Sequence, residues 1–290
     1  MIVPGLLLII VLGLLSQSLQ ARLRSAVRQR AALILVGPVL LSWIFAVAAW
    51  NAGAGSLSLT CLVLAYTLAP TLAAMWPRGT PGVARWTDMA GILLLWLPLE
   101  FAAGASLVPK PAQGYLHAVA YGVAIVLALW LFLICRALKG VKYNLPRSPK
   151  DLLNPIAGFA VLAPVLALLG LTIGFLPPVH APHAAWSRIP LRYLVIFCAT
   201  ALPEEILFRG LIQNWVMQRF GANNRSLLAA GFIFGCSHLN NGPQALPNWR
   251  YMILATLAGI VFGRVFQKSS SILSSASLHA AVDTVKYAFF

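Results

Sequence analysis

Two adjacent carboxylates, Glu204 and Glu205, lie within an apolar run of the sequence, and Arg209 follows them on the same run. A charged side chain at the centre of a bilayer costs roughly 2.5–3.5 kcal/mol, so ionisable residues in such runs are candidates for a functional site. Glu205 and Arg209, spaced i and i+4, share a helix face and can form an ion pair. Glu204 is rotated by about 100° from Glu205 on a helix and has no cation at i+3 or i+4. Glu204 is therefore a candidate general acid or base, and a buried ion-pair cluster that only joins helices is the alternative.

Two later apolar runs each add a histidine at helical spacing. Phe234 and His238 are spaced i and i+4 in the first of these runs, and His279 and Asp283 have the same spacing in the last run. A single histidine in a membrane helix is usually a packing residue. Two histidines at a depth similar to that of the glutamates, on three neighbouring helices, favour a shared site instead.

Membrane helices have to position these residues. The mean hydropathy of +0.84, with 60% hydrophobic and 9% charged residues, is typical of an integral membrane protein. Only helices and closed barrels satisfy the backbone in lipid, and the apolar runs are too long and continuous for barrel strands. The sequence therefore predicts an all-α, polytopic transmembrane helix bundle of about 8–10 helices, with a C-terminal catalytic helix core. The apolar runs lie at about 1–20, 31–50, 57–76, 89–108, 116–135, 156–176, 190–217, 226–240, 250–267 and 270–289.

The basic residues indicate domain organisation and orientation. A polar loop at 136–155 separates residues 1–150, which are N-terminal transmembrane helices and a basic loop of unclear role, from a C-terminal core at 151–290. With the N-terminus outside, fifteen basic residues fall on the inner side and five on the outer side, which the positive-inside rule favours. Because the net charge of +15 is spread between apolar runs and forms no single patch, it argues against a nucleic-acid partner.

The three motifs, in their order along the chain, resemble those of a known family. They resemble the CAAX-protease and bacteriocin-processing (CPBP, or Abi) family of intramembrane glutamic proteases over about residues 190–290. The resemblance implies hydrolysis of a peptide bond within a bacterial cell membrane, with no metal and no cofactor, and a peptide or membrane-protein substrate. The motifs are Glu204-Glu205-x-x-x-Arg209, Phe234-x-x-x-His238 and His279-x-x-x-Asp283.

The resemblance also implies a role for each motif. Glu204 and His238 would hold and activate the attacking water, with Glu204 as the general base. His279 and the residue at position 283 would stabilise the tetrahedral oxyanion. The site-shaping residues would be Glu205, Arg209 and Phe234.

Asp283 departs from the family pattern, which usually has asparagine at this position. An ionised carboxylate cannot donate a hydrogen bond to an oxyanion, whereas an amide can. Either Asp283 is protonated, or it pairs with His279 and keeps that ring charged as the oxyanion donor; a third reading is a weakened or inactive enzyme. The pairing is favoured, because an aspartate at i+4 stabilises a charged histidine.

Other functions are compatible with parts of the sequence. Glu204, His238, His279 and Asp283 could instead bind zinc, although no His-Glu-x-x-His motif is present. A non-catalytic chaperone, an immunity protein or a transporter would also place carboxylates and histidines at the membrane midplane. Glu100, alone in the fourth apolar run, fits either packing or substrate contact.

Overall fold

The computed structural model describes residues 2–76, 80–101, 113–181, 186–242 and 244–290. It is 77% helical, with eleven helices and no strand in these ranges, which confirms the all-α prediction. The chain forms two compact units, one ending at Gly140 and the other beginning at Val141.

The described residues of the N-terminal unit form six helices. The first apolar run, predicted as one helix, is broken at residues 14–16 into two helices bent by 94°. The side chain of Ser16 caps the second of these helices by accepting from the amide of Leu19. The fourth run is helical only as far as Glu100, and residues 102–112 lie outside the described ranges. The helices are α1 Ile2–Gly13, α2 Gln17–Gln29, α3 Leu33–Asn51, α4 Leu57–Met75, α5 Trp86–Glu100 and α6 Gln113–Ala128, which continues as the π-helical segment Leu129–Cys135.

A buried ion pair joins α5 to the end of α6. The carboxylate of Asp88 is fully buried and lies 2.7 Å from Nε and 3.1 Å from Nη2 of Arg136. The same carboxylate caps α5 by accepting from the amide of Arg85 at 2.8 Å. Glu100, at the other end of α5, accepts from the indole of Trp96 at 3.1 Å, which gives it a packing partner within its own helix.

In the C-terminal unit, five α-helices lie within the described ranges. The longest, α8, spans 189–220 and alternates between α-helical and π-helical turns, with π segments at Phe197–Ala201 and Ile206–Gln213 on either side of Leu202–Glu205. A π turn inserts a residue into the helix and frequently marks a functional position. The pair Glu204–Glu205 therefore sits on a short α-helical turn between two widened segments. The remaining helices are α7 Lys150–Thr172, α9 Asn224–Cys236, α10 Trp249–Lys268 and α11 Leu273–Phe289.

The segment 141–149 is attached to the ends of α10 and α11. The ammonium of Lys142 donates to the carbonyls of Phe266, Gln267 and Ser269, which lie at the C-terminal end of α10 and have no partner within that helix. Burial lowers the pKa of Lys142, and the charge of Asp151 acts in the opposite direction. These contacts fix the turn from which α11 begins.

Close packing of α9 against α10 depends on glycine. A methyl group on Gly235 would lie 1.9 Å from the hydroxyl of Thr256 and 2.7 Å from the carbonyl of Met252. Any larger residue at position 235 would separate the two helices. Since His238 follows on the next turn, this contact also sets the position of that histidine.

The helices have the length and exposure of membrane spans. Five described helices are long and apolar enough to cross a bilayer, or six if the bent pair α1–α2 is one span. The most apolar window of α7 has a mean hydropathy of 2.1, and only 11% of it is buried. Its exposed leucines include Leu152 and Leu168. Soluble proteins rarely expose such continuous apolar surface, so these helices indicate a multi-pass membrane protein.

Candidate functional site

The imidazole of His279 on α11 is surrounded by three carboxylates. Its Nδ1 lies 3.2 Å from Oε1 of Glu205, and its Nε2 lies 3.8 Å from Oε2 of Glu204 and 3.5 Å from Oδ2 of Asp283. An imidazole can donate from both ring nitrogens only in its charged form, and three carboxylates stabilise that form. Of the roles considered for Asp283, these distances support the ion pair with His279.

Glu205 is held by two cationic partners. Its Oε2 lies 3.3 Å from Nε of Arg209, and both side chains are fully buried. The guanidinium of Arg209 stacks over the rings of Phe234 and Phe262, 4.6 and 5.7 Å from their centroids. Because Arg209 and His279 approach different oxygens of Glu205, this carboxylate is fixed in place. It is therefore a positioning group within the cluster.

Glu204 is the more accessible of the two adjacent glutamates. Its side chain is 33% exposed, whereas that of Glu205 is fully buried. Its Oε2 lies 3.8 Å from Nε2 of His279 and makes no hydrogen bond to the described residues, and the same is true of Oε2 of Glu205, which lies 3.3 Å from Arg209. Glu204 differs from Glu205 in lining the cavity, so a water molecule can reach its carboxylate.

His238, near the end of α9, has one ring nitrogen committed to the backbone. Its Nδ1 lies 2.9 Å from the carbonyl of Phe234 and 3.1 Å from the hydroxyl of Ser237. A carbonyl accepts only, so Nδ1 carries the proton and Nε2 carries the lone pair. Among the described residues Nε2 makes no hydrogen bond, which leaves it able to accept one from a bound water.

Phe234 separates the two histidines. Its ring centroid lies 4.8 Å from that of His238 and 5.7 Å from that of His279, edge-on in both cases. The ring of Phe262 stacks on His279 at 4.7 Å and lies 6.2 Å from the ring of Phe234, so the three rings contact one another. Aromatic rings in these geometries hold the imidazoles at fixed angles and exclude bulk water.

A cavity of about 120 Å³ opens onto this cluster. Given a liquid volume of about 30 Å³ per molecule, it has room for a few waters or part of a peptide side chain. The polarity of the cavity wall varies: one part has carboxylates and imidazoles, and the rest has apolar or aromatic side chains. The polar and aromatic lining residues are Phe175, Thr200, Glu204, Phe234, His238, Tyr251, Phe262, His279, Asp283, Lys286 and Phe290.

Comparison with protein families gives a match to the C-terminal part of the chain. Residues 186–285 match the family model described as type II CAAX prenyl endopeptidase Rce1-like. This part of the chain is an Rce1-like domain of the CAAX protease family. The match covers about a third of the chain and includes all three motifs, so it confirms the family resemblance. No curated protein and no solved structure matches the chain.

The Rce1-like family supports a protease and suggests a CAAX-type membrane endopeptidase, which acts on peptide or protein substrates. The matched region contains α8 to α11 and so all the residues of the three motifs. The structure places Glu204, His238, His279 and Asp283 on one cavity. It places Glu205 and Arg209 behind them, away from the cavity lining, as a buried pair.

Sequence reasoning missed three of the residues that line the cavity: Tyr251 and Phe262 of the Rce1-like domain, and Lys286, which follows the matched residues. Tyr251 packs edge-on against His238 with the ring centroids 4.5 Å apart, and Phe262 stacks on His279. Neither residue has a spacing that links it to the motifs. Lys286 could have been found, because it lies seven residues after His279 and three after Asp283, on the same face of α11.

The zinc alternative requires at least three ligands directed at one point. Among the described residues, no three histidine, cysteine, aspartate or glutamate side chains are arranged to hold a metal ion. Both nitrogens of His279 instead face carboxylate oxygens at 3.2–3.8 Å. The arrangement within the Rce1-like domain is that of an ion-pair network around a charged imidazole.

Proposed function

We propose that this protein is an intramembrane endopeptidase that hydrolyses a peptide bond with a water molecule activated by Glu204 and His238. The observation that carries the proposal is the contrast between the two adjacent glutamates. Glu205 is fully buried between Arg209 and His279, while the side chain of Glu204 is one-third exposed and lines the cavity that His238 also lines. One carboxylate is thus available for proton transfer, and the other orients its neighbours.

The proposed reaction needs no covalent intermediate. Water is held between the carboxylate of Glu204 and Nε2 of His238, and Glu204 takes one proton as the oxygen attacks the scissile carbonyl carbon. The charged ring of His279 donates to the oxyanion of the tetrahedral intermediate. Glu204 then returns the proton to the leaving amine as the C–N bond breaks. Atoms balance, since one water is consumed for each peptide bond.

Asp283 acts through His279 in this scheme. An ionised aspartate accepts hydrogen bonds only, so it does not contact the oxyanion. Its oxygen 3.5 Å from Nε2 of His279 stabilises the charged ring. Nε2 lies 3.5 Å or more from the carboxylate oxygens that face it, so it can donate its hydrogen bond to the oxyanion when substrate binds.

The substrate is a peptide or a membrane protein, and the family description makes a prenylated CAAX peptide the first to test. The apolar lining of the cavity suits aliphatic side chains. We place the enzyme in a bacterial cell membrane with its N-terminus outside and its basic loops in the cytoplasm, as the charge count predicts.

Glu204→Gln tests the proposed general base. The change keeps the shape of the side chain and removes the basic carboxylate. We expect the rate of cleavage of an internally quenched peptide, ending in a prenylated cysteine and three further residues, to fall by about 10²–10⁴-fold in purified enzyme. Thermal stability should be almost unchanged, because Glu205 keeps its contacts with Arg209 and His279.

Glu100→Gln is the matched control, because it makes the same chemical change at a half-buried carboxylate in the N-terminal unit. Its cleavage rate should match that of the wild type. Full activity of Glu204→Gln would refute the mechanism. Loss of wild-type activity on treatment with a strong chelator, with recovery on adding Zn²⁺, would favour the zinc alternative.

A further inference from the structure

Helix α2 lies outside the Rce1-like domain and carries only positive charge. Its 13 residues include three arginines, and a fourth follows directly: Arg22, Arg24, Arg28 and Arg30. No acidic residue precedes Asp88 in the chain. Because an arginine within the hydrocarbon of a bilayer is costly, α2 belongs at the membrane surface.

The bend before α2 turns this helix across one end of α6. Leu7 of α1 packs against Gly122 of α6, which belongs to a 22-residue candidate span. After the 94° bend, α2 packs on Leu129–Cys135, the last turns of the same span. A helix that crosses the end of a membrane span at about a right angle lies along the bilayer surface, at the depth of the lipid headgroups.

Two polar side chains of α2 fix the bend. The amide nitrogen of Gln20 donates to the carbonyl of Leu14 at 2.7 Å. Nε of Arg24 donates to the carbonyl of Leu133 at 2.9 Å, and Nη2 of Arg24 donates to Oε1 of Gln20 at 3.1 Å. Both carbonyls lie near helix ends, where backbone oxygens lack partners within their own helix. Arg24 is therefore bonded to the protein and holds α2 against α6.

Arg22 and Arg28 are exposed instead. No described acidic residue forms an ion pair with an arginine of α2, because Asp88 and Glu100 bond to residues elsewhere in the N-terminal unit. Arg28 also follows Arg24 by four residues, so two like charges share a helix face and repel each other. An anion from outside the protein would compensate these charges.

The other side chains of α2 make the helix amphipathic. Leu19, Leu23 and Ala26 lie at i, i+4 and i+7, which places them on one face, and the arginines lie outside that face. Leu19 is 38% exposed, so packing within the protein does not cover this face completely. A short apolar face combined with basic residues is typical of helices in the membrane interface. The apolar face can enter the lipid while the guanidinium groups reach the headgroups.

We propose that α2 is an interfacial helix that binds the headgroups of anionic phospholipids through Arg22 and Arg28. A guanidinium group is always charged and donates two parallel hydrogen bonds to a phosphate, so it suits a lipid phosphate at this depth. The charge count predicts that this end of α6 is cytoplasmic, and the lipids are then those of the inner leaflet. The contact holds the end of the N-terminal unit at the membrane surface.

The test measures lipid binding by the purified full-length protein in micelles of a non-ionic detergent. Phosphatidylglycerol or neutral phosphatidylcholine is added, and the rise in the thermal unfolding temperature with lipid concentration gives an apparent affinity. The wild type should prefer phosphatidylglycerol. Replacing both Arg22 and Arg28 with glutamine should reduce the ratio of the two affinities by roughly 25-fold, since each basic residue near an anionic surface contributes roughly fivefold. Replacing both with lysine should retain most of the preference.

Two comparisons make the result specific. Replacing both Arg147 and Arg225 with glutamine is the matched control, because it removes two exposed arginines from the C-terminal unit; it should leave the ratio unchanged. A loss of preference as large as that of the α2 variant would assign the effect to net charge and overturn the proposal. Inorganic phosphate should not stabilise the wild type. If it stabilises the protein as strongly as phosphatidylglycerol does, the arginines bind a soluble anion and the lipid site is refuted.

The salt dependence of the wild type provides a test that needs no variant. Raising NaCl from 50 to 500 mM shortens the range of electrostatic attraction, so the affinity for phosphatidylglycerol should fall at least tenfold while that for phosphatidylcholine stays constant. A preference that does not change with salt, or a wild type without preference, contradicts the proposal. Neither measurement requires the protein to cleave a peptide.

Discussion

Replacing Arg209 with methionine removes the cation of the fully buried pair with Glu205 while keeping an unbranched apolar side chain. At the observed 3.3 Å, two unit charges attract by about 5 kcal/mol at an effective dielectric constant of about 20. Breaking a buried pair by removing one partner typically costs about 3–5 kcal/mol. His279 remains 3.2 Å from Glu205 and compensates part of its charge. We therefore expect the free energy of unfolding to fall by about 3 kcal/mol.

The assay is reversible unfolding in mixed detergent micelles, followed for Arg209→Met, Glu205→Gln and the double variant. Removing both charges leaves no uncompensated ion, so the double variant should lose less stability than the sum of the single variants. The interaction energy should fall in the range of about 0.5–3 kcal/mol observed for contacting residues. Arg264→Met is the control, because Arg264 is exposed and bonds the surface residue Asn224 at 2.8 Å.

The control should lose less than about 1 kcal/mol, the usual value for an exposed polar contact. If Arg209→Met also loses less than about 1 kcal/mol of unfolding free energy, the buried pair contributes no more than a surface contact. Additive losses in the double variant would show that Arg209 and Glu205 do not compensate each other. Either result would refute the assignment of Glu205 as a carboxylate fixed by Arg209.

Two further predictions concern the geometry around the histidines. Asp283→Asn should reduce peptide cleavage at least tenfold with little change in thermal stability, because an amide does not stabilise the charged ring of His279 as a carboxylate does. Unchanged or increased cleavage would instead support an amide that donates to the oxyanion. Gly235→Ala should lower stability by about 1–3 kcal/mol and reduce cleavage, because the added methyl overlaps Thr256 and moves His238. Gly114→Ala, which adds a methyl in open space, is the control, and equal stability of the two alanine variants would contradict the packing explanation.

The sequence determined where most of the helices lie. The run at 57–76 is the helix Leu57–Met75, and the run at 250–267 is the helix Trp249–Lys268. Such runs are reliable because the backbone in lipid has to bond within its own segment, which makes a long apolar run a helix whatever its neighbours are. The first run was harder to read, because hydropathy averages over the polar turn at Ser16 and does not record a bend of 94°.

The sequence also identified two charged pairs of the Rce1-like domain. Helical spacing placed Glu205 beside Arg209 and His279 beside Asp283, and both pairs are present in the structure. These are contacts within one helix, and the pitch of a helix is the same in every protein. The three motifs and their order along the chain were sufficient to indicate the family. Each motif lies on its own helix.

Contacts between helices were decided only by the tertiary structure. Spacing along α8 does not reveal that His279 lies between Glu204 and Glu205, that Phe234 separates two imidazoles, or that π turns flank the glutamates. Nor does it show that Lys286 faces a cavity. Such contacts depend on how far each helix is rotated and how closely it approaches the next, and both are set by packing such as that at Gly235. The sequence shows which residues share a face of one helix, because the helical pitch is constant. The rotation of one helix relative to another is set only when their side chains pack together.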